Sequence, residues 1–124
     1  MEKYSISGTA KTPSIYFDLG VGFLEIKGRS TPENSYEFYQ PLQSTLTEYF
    51  QRPRPLTKIS LNFDYFSTSS SKWLLEFLRK FEKIQEKENL VNVDWHYQDD
   101  DILEAGQDYQ EMVKLPFNMI LSNC

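Results

Sequence analysis

Along residues 57–84 the apolar residues change their rhythm, and that change limits the folds open to the chain. Ile59, Leu61 and Phe63 alternate with polar neighbours, the pattern of a β-strand with one buried face. Trp73, Leu74, Phe77, Leu78, Phe81 and Ile84 then recur at helical spacing, with Lys and Glu on the opposite side. A strand that runs straight into an amphipathic helix is half of a βαβ unit, and such units build parallel sheets. Between the two stand Ser67-Thr68-Ser69-Ser70-Ser71, an unbroken row of hydroxyls where the helix begins.

The rest of the chain repeats the alternation. Residues 1–12 are polar and read as extended, with Thr12-Pro13 as a start signal. Ile15–Asp18 and Phe23–Gly28 read as two strands joined by the Gly20-Val21-Gly22 turn, a hairpin. Tyr39, Leu42, Leu46, Tyr49 and Phe50 place a helix over 36–50, with Pro41 in an early turn or at a bend. Arg52-Pro-Arg-Pro55 breaks the chain before the strand at 57–63. The long helix over 70–88 follows, then a strand at 90–97. A short helix spans 100–112, weakened by Gly106, and a last strand covers 116–121. The order β-β-α-β-α-β-α-β predicts a single α/β domain, residues 1–124, on a mixed five-stranded sheet with right-handed crossovers and one antiparallel hairpin. Sites in such sheets lie beyond the carboxyl ends of the strands, where Ser67–Ser71 stand.

Composition narrows the function. A formal charge of −5 leaves no basic surplus for nucleic acid or for an anionic membrane surface. No apolar run approaches the ~18 residues that span a bilayer. The start of the chain has no signal-peptide core. The one cysteine, Cys124, rules out an internal disulfide and, at a terminal residue, is a poor nucleophile. These features predict a cytoplasmic protein.

Four elements carry polar chemistry. The hydroxyl row offers caps to a helix whose first N–H groups lack partners, yet one cap suffices. The surplus points to a phosphoacceptor, or to an anion held at a helix N-terminus. An anion cradle usually needs glycines, and there is none between Gly28 and Gly106. Asp99-Asp100-Asp101, with Glu104 and Asp108, matches no calcium loop and reads as an acidic helix start that complements the dipole. His96, the only histidine, has no nucleophile or second metal ligand nearby in sequence and reads as structural. No metal or cofactor is therefore expected. The segment Ser30–Tyr36 is dense in turn and cap residues. It reads as a β–α loop capped by Asn34 or Ser35, or as a recognition loop beside the hydroxyl row.

Four stretches taken together resemble the SiaC family of bacterial regulatory phosphoproteins. They are Gly8–Ile15, Leu24–Ser35 with its Pro32-Glu33-Asn34-Ser35 element, Phe66–Ser70 with Thr68-Ser69-Ser70, and Val93–Asp100. The resemblance implies a fold similar to the STAS domain of anti-sigma factor antagonists. It implies a switch protein without catalytic activity, phosphorylated on the threonine that corresponds to Thr68. A dedicated Ser/Thr kinase and a PP2C-type phosphatase would act on it. The unmodified form would bind and activate a diguanylate cyclase, raising cyclic di-GMP and favouring biofilm formation. Pro32, Glu33, Asn34, Ser35, Ser67, Ser69 and Ser70 are the expected partner-binding residues. Ser67 departs from the pattern, since relatives often carry Asn there. Two other functions remain open: a STAS-like antagonist with transcription as its output, and a small ligand-binding domain or enzyme using Thr68, His96 and Asp99–Asp101. The last requires a pocket converging on those side chains.

Overall fold

The computed structural model describes residues 3–87 and 89–122. Glu88, the expected end of the long helix, and Cys124 lie outside the described residues. The elements run β1 (Lys3–Ile6), β2 (Ser14–Asp18), β3 (Phe23–Ser30), α1 (Ser35–Phe38), α2 (Gln40–Gln51), β4 (Leu56–Phe66), α3 (Thr68–Gln85), β5 (Leu90–Tyr97), α4 (Asp100–Met112) and β6 (Phe117–Leu121). The strands form one sheet in chain order, β1-β2-β3-β4-β5-β6. β1, β2 and β3 pair antiparallel; β3 to β6 pair parallel.

Each parallel connection moves one strand in the same direction. Right-handed crossovers then leave the helices on one face. Burial agrees. Ile15, Phe17, Leu24, Ile26, Ile59, Leu61, Val91, Val93 and Trp95 point into the helix layer and are almost wholly buried. Their neighbours Tyr16, Glu25, Lys58, Asn92 and His96 remain partly or fully exposed on the open face. Among the described residues no helix is long and apolar enough to cross a membrane.

The sheet has six strands, so the five-strand expectation is corrected. β1 pairs with β2 from Lys3↔Asp18 to Ile6↔Ile15. It is a four-residue edge strand in which only Tyr4 and Ile6 pack against the core, too short a run to leave a clear apolar signal. The helix expected over 36–50 is two. The chain breaks at Tyr39 (φ −87°, ψ 0°), and Pro41 sits in the first turn of α2, where its missing N–H costs nothing. α3 begins at Thr68, two residues before the expected start. β5 and α4 run from Leu90 to Tyr97 and from Asp100 to Met112, as their patterning predicts.

Aromatic side chains tie the layers together. Tyr39 stacks on Trp73 with centroids 3.8 Å apart, and Trp73 on Phe77 at 5.0 Å. Trp95 is fully buried, and its indole N–H donates to the Ile102 carbonyl at 2.8 Å. Gly106 permits this approach, because a Cβ there would lie 2.5 Å from the Trp95 ring. The glycine that weakens α4 as an isolated helix is what lets it dock.

Candidate functional site

The parallel strands β3 and β4 end side by side, Ser30 opposite Phe66. The chain leaves β3 into the Thr31–Asn34 loop and α1, and leaves β4 directly into α3. The two exits are stitched together where the main-chain N–H of Ser67 donates to the Ser30 carbonyl at 2.9 Å. Asn34 caps α1, accepting from the Glu37 N–H at 3.1 Å. Ser67 is extended (φ −77°, ψ 169°) and caps α3, accepting from the Ser70 N–H at 3.2 Å.

Four of the five hydroxyls in the row are occupied by the fold. Ser67 is the cap. Ser69 Oγ lies 2.7 Å from Ser35 Oγ. Ser70, buried, lies 2.9 Å from Ser35 Oγ and 2.8 Å from Ser30 Oγ, and donates to the Ser30 carbonyl at 3.1 Å. Ser71 Oγ meets the Tyr109 hydroxyl of α4 at 2.9 Å. Ser30 Oγ also meets the Tyr39 hydroxyl at 2.7 Å. Burial pushes the Tyr39 phenol up to about 12, the Ser30 contact partly opposing it. Tyr109 is raised for the same reason, against its contact with Ser71.

Thr68 is the exception. It is the first residue of α3, it is exposed, and its hydroxyl has no hydrogen-bond partner among the described residues. Its own N–H and that of Ser69 head the helix, where no preceding turn supplies an acceptor. Lys72 and Glu76 follow at four-residue intervals on the same exposed stripe. The Tyr36 hydroxyl donates to Glu76 Oε2 at 2.8 Å, which fastens the loop side of the site to that stripe.

The structure thus sorts the expected partner-binding residues. Glu33 and Asn34 are exposed, and Pro32, Ser67 and Ser69 are half-buried around Thr68. Ser35 and Ser70, expected beside them, are buried at 1% and 3% exposure and are bonded to each other beneath this surface. Sequence reasoning missed Ser30 and Tyr39 as members of the network. Ser30 had a signal, because the inward register of Leu24 and Ile26 runs on to it, a hydroxyl at a core position.

The remaining candidates do not converge on Thr68. His96 sits on the open sheet face, opposite Asn62 and Ile120. Asp99 caps α4, accepting from the Ile102 N–H at 2.9 Å, with Asp100 and Asp101 in the first turn. A cavity of about 190 Å³ lies beside Asp99, Asp101, Asp64 and Phe66, but neither Thr68 nor His96 lines it. A larger one of about 480 Å³ is at the other end of the sheet, beside Leu19, Tyr49 and Arg54.

This geometry has known counterparts. The description of SiaC family regulatory phosphoproteins matches residues 6–122. The chain belongs to the SiaC family. It is similar to apo-SiaC from Pseudomonas aeruginosa, with a TM-score of 0.90 and 28% identity over 97% of this chain and 99% of that one. It is as similar to the SiaC that is bound, as activator, to the diguanylate cyclase SiaD of the same organism. There the TM-score is 0.89 and the identity 27%, over 96% and 99% of the two chains. An uncharacterized protein of P. aeruginosa strain UCBPP-PA14 is 29% identical over 119 residues, 94% of each chain. The six-stranded mixed sheet with its four helices is therefore the SiaC architecture.

Proposed function

We infer that this chain is a regulatory binding module without catalytic activity, switched by phosphorylation of Thr68, whose target is a diguanylate cyclase. The observation that carries the reading is the division of labour in the hydroxyl row. Every neighbour of Thr68 is committed to the fold, while Thr68 presents a free hydroxyl at a helix start. A kinase can reach it without unfolding the chain, and a PP2C-type phosphatase can reach the product. The cyclase is favoured as target by the SiaC–SiaD complex of the P. aeruginosa relative.

The switch follows from charge. Unmodified, the site is a rim of Ser67, Thr68, Ser69 and the Pro32–Asn34 loop in which Glu33 is the one charged residue, with Tyr36 standing 46% exposed beside it. A target can cover such a surface at low desolvation cost. A phosphate brings nearly two negative charges to the first residue of α3. The helix N-terminus welcomes it, and Lys72 stands one turn on, so the fold tolerates the group. A target packed over it would have to strip water from a dianion, so binding is lost while the fold stays intact.

The test is target affinity of phosphorylated and unmodified protein side by side, with thermal melting of both. The expected result is unchanged or slightly higher melting temperature and weak binding for the phosphorylated form. Thr68→Ala should bind whether or not the kinase is present, and Thr68→Asp should weaken binding less than true phosphate. Equal affinities for the two forms would refute the switch. The STAS-like fold that the sequence resemblance implies would admit a second target class, an anti-sigma kinase. Stimulation of cyclic di-GMP synthesis by the unmodified protein separates the two. A ligand-binding role has less support, because neither of the two cavities described among these residues brings Thr68, His96 and Asp99 together.

A further inference from the structure

The sheet ends at β6, and this edge differs from the one at β1. β1 is four residues long, with Lys3 and Ser5 exposed, a charged and short edge of the kind that discourages pairing. From Leu115 to Leu121 there is no charged residue, and β6 itself contains no proline. Its pairing with β5 runs without interruption from Val93↔Phe117 to Tyr97↔Leu121. The Val93 N–H donates to the Pro116 carbonyl and the Ser122 N–H to the Tyr97 carbonyl. In a parallel ladder these bonds set the phase: Asn118 and Ile120 face β5, while Phe117, Met119 and Leu121 turn their N–H and C=O groups outward. The side chains of the same three residues extend the helix-covered face until it runs out, and Leu121 is left 60% exposed.

The surroundings of this edge carry one sign of charge. α4, the helix nearest it in the chain, holds Asp100, Asp101, Glu104, Asp108 and Glu111 and no basic residue. From Asp94 to the end of the sequence there are seven acids against Lys114 alone, whereas the first 93 residues carry twelve bases and eleven acids. The formal charge of −5 is thus concentrated beside β6. A second copy paired edge to edge would bring two acidic α4 helices together, which is repulsive. We propose that β6 accepts an added strand from a partner protein, an extended apolar segment flanked by lysine or arginine. Main-chain bonds to Phe117, Met119 and Leu121 hold it, cover for Leu121 adds burial, and the acids of α4 select its flanks. This surface is separate from the Thr68 site.

The test uses the full chain and a short synthetic peptide of alternating valine and threonine with two lysines at each end. Amide hydrogen exchange should slow at Phe117, Met119 and Leu121 when the peptide is added, with Thr68 and Tyr36 unchanged. The same peptide with glutamates at its ends should bind at least about tenfold more weakly, from like-charge repulsion with α4. Met119→Pro removes an outward donor without touching the β5 ladder and should weaken the lysine peptide about tenfold. Because that variant can distort the strand, Asp108→Lys with Glu111→Lys serves beside it. Both side chains are exposed, and their reversal should also weaken the lysine peptide. No protection at the three amides, equal binding of the two peptides, or concentration-dependent dimerisation through β6 would overturn the proposal.

Discussion

Replacing Ser70 by alanine tests whether the hydroxyl row is framework or surface. Its Oγ lies 2.8 Å from Ser30 Oγ, 2.9 Å from Ser35 Oγ, 3.2 Å from Ser67 Oγ and 3.1 Å from the Ser30 carbonyl oxygen. One hydroxyl donates once and accepts twice, so three of these four contacts are bonds at any moment. At roughly 1 kcal/mol each, the ceiling on the loss is about 3 kcal/mol. No partner is orphaned, however. Ser30 Oγ keeps Tyr39, Ser35 Oγ keeps Ser69, and the Ser30 carbonyl keeps the Ser67 N–H. Alanine also returns a few tenths of a kcal/mol of helix propensity, which puts the expected cost at about 1–2 kcal/mol. Thr68→Ala removes no bond and gains propensity, so it should be neutral or stabilise by about 0.5 kcal/mol. Urea titration of both variants, with the slope of the transition unchanged, measures the difference. If Thr68→Ala costs as much as Ser70→Ala, then Thr68 has a structural partner and the hydroxyl row is not divided between framework and surface.

Gly106→Ala should destabilise by about 1–3 kcal/mol through the clash with Trp95, although propensity alone would credit it with about 1 kcal/mol of gain; chemical denaturation gives the sign. Phe77→Ala, at a side chain 1% exposed, should cost about 3–5 kcal/mol in the same assay. Tyr39 makes stability fall in alkali. Burial holds its phenol up at about 12, above the ordinary tyrosine value of about 10, so its contribution is whole below pH 10 and fades as pH rises toward 12. Tyr39→Phe should flatten that part of the stability profile. Asp99→Ala should lose a cap worth about 1 kcal/mol, and millimolar Mg²⁺ should leave the melting temperature of the parent chain unchanged.

Periodicity and punctuation in the sequence determined the order of elements from β2 to β6. Wherever a strand or helix buries a regular apolar face, its pattern is written locally, and β5 and α4 were legible to the residue for that reason. The hydroxyl row and its place at a helix start were legible in the same way. β1 was not, because two apolar side chains, Tyr4 and Ile6, in a four-residue strand give too short a pattern, and its pairing with β2 is made by main-chain bonds that leave no side-chain code. The break at Tyr39 was hidden too. It arises where one side chain must both stack on Trp73 and reach Ser30, a demand made by distant residues.

The site divides along the same line. Sequence singled out five adjacent hydroxyls and, by resemblance, pointed to Thr68. Only the tertiary structure decided which of the five are free, because their partners come from β3, α1 and α4, 34 to 40 residues away in the chain. Gly106 is the sharpest case. Read alone it is a weak spot in a helix, and set against Trp95 it is the reason the helix packs. Local energetics fix what each segment can be; the contacts among segments fix which side chains remain for a partner.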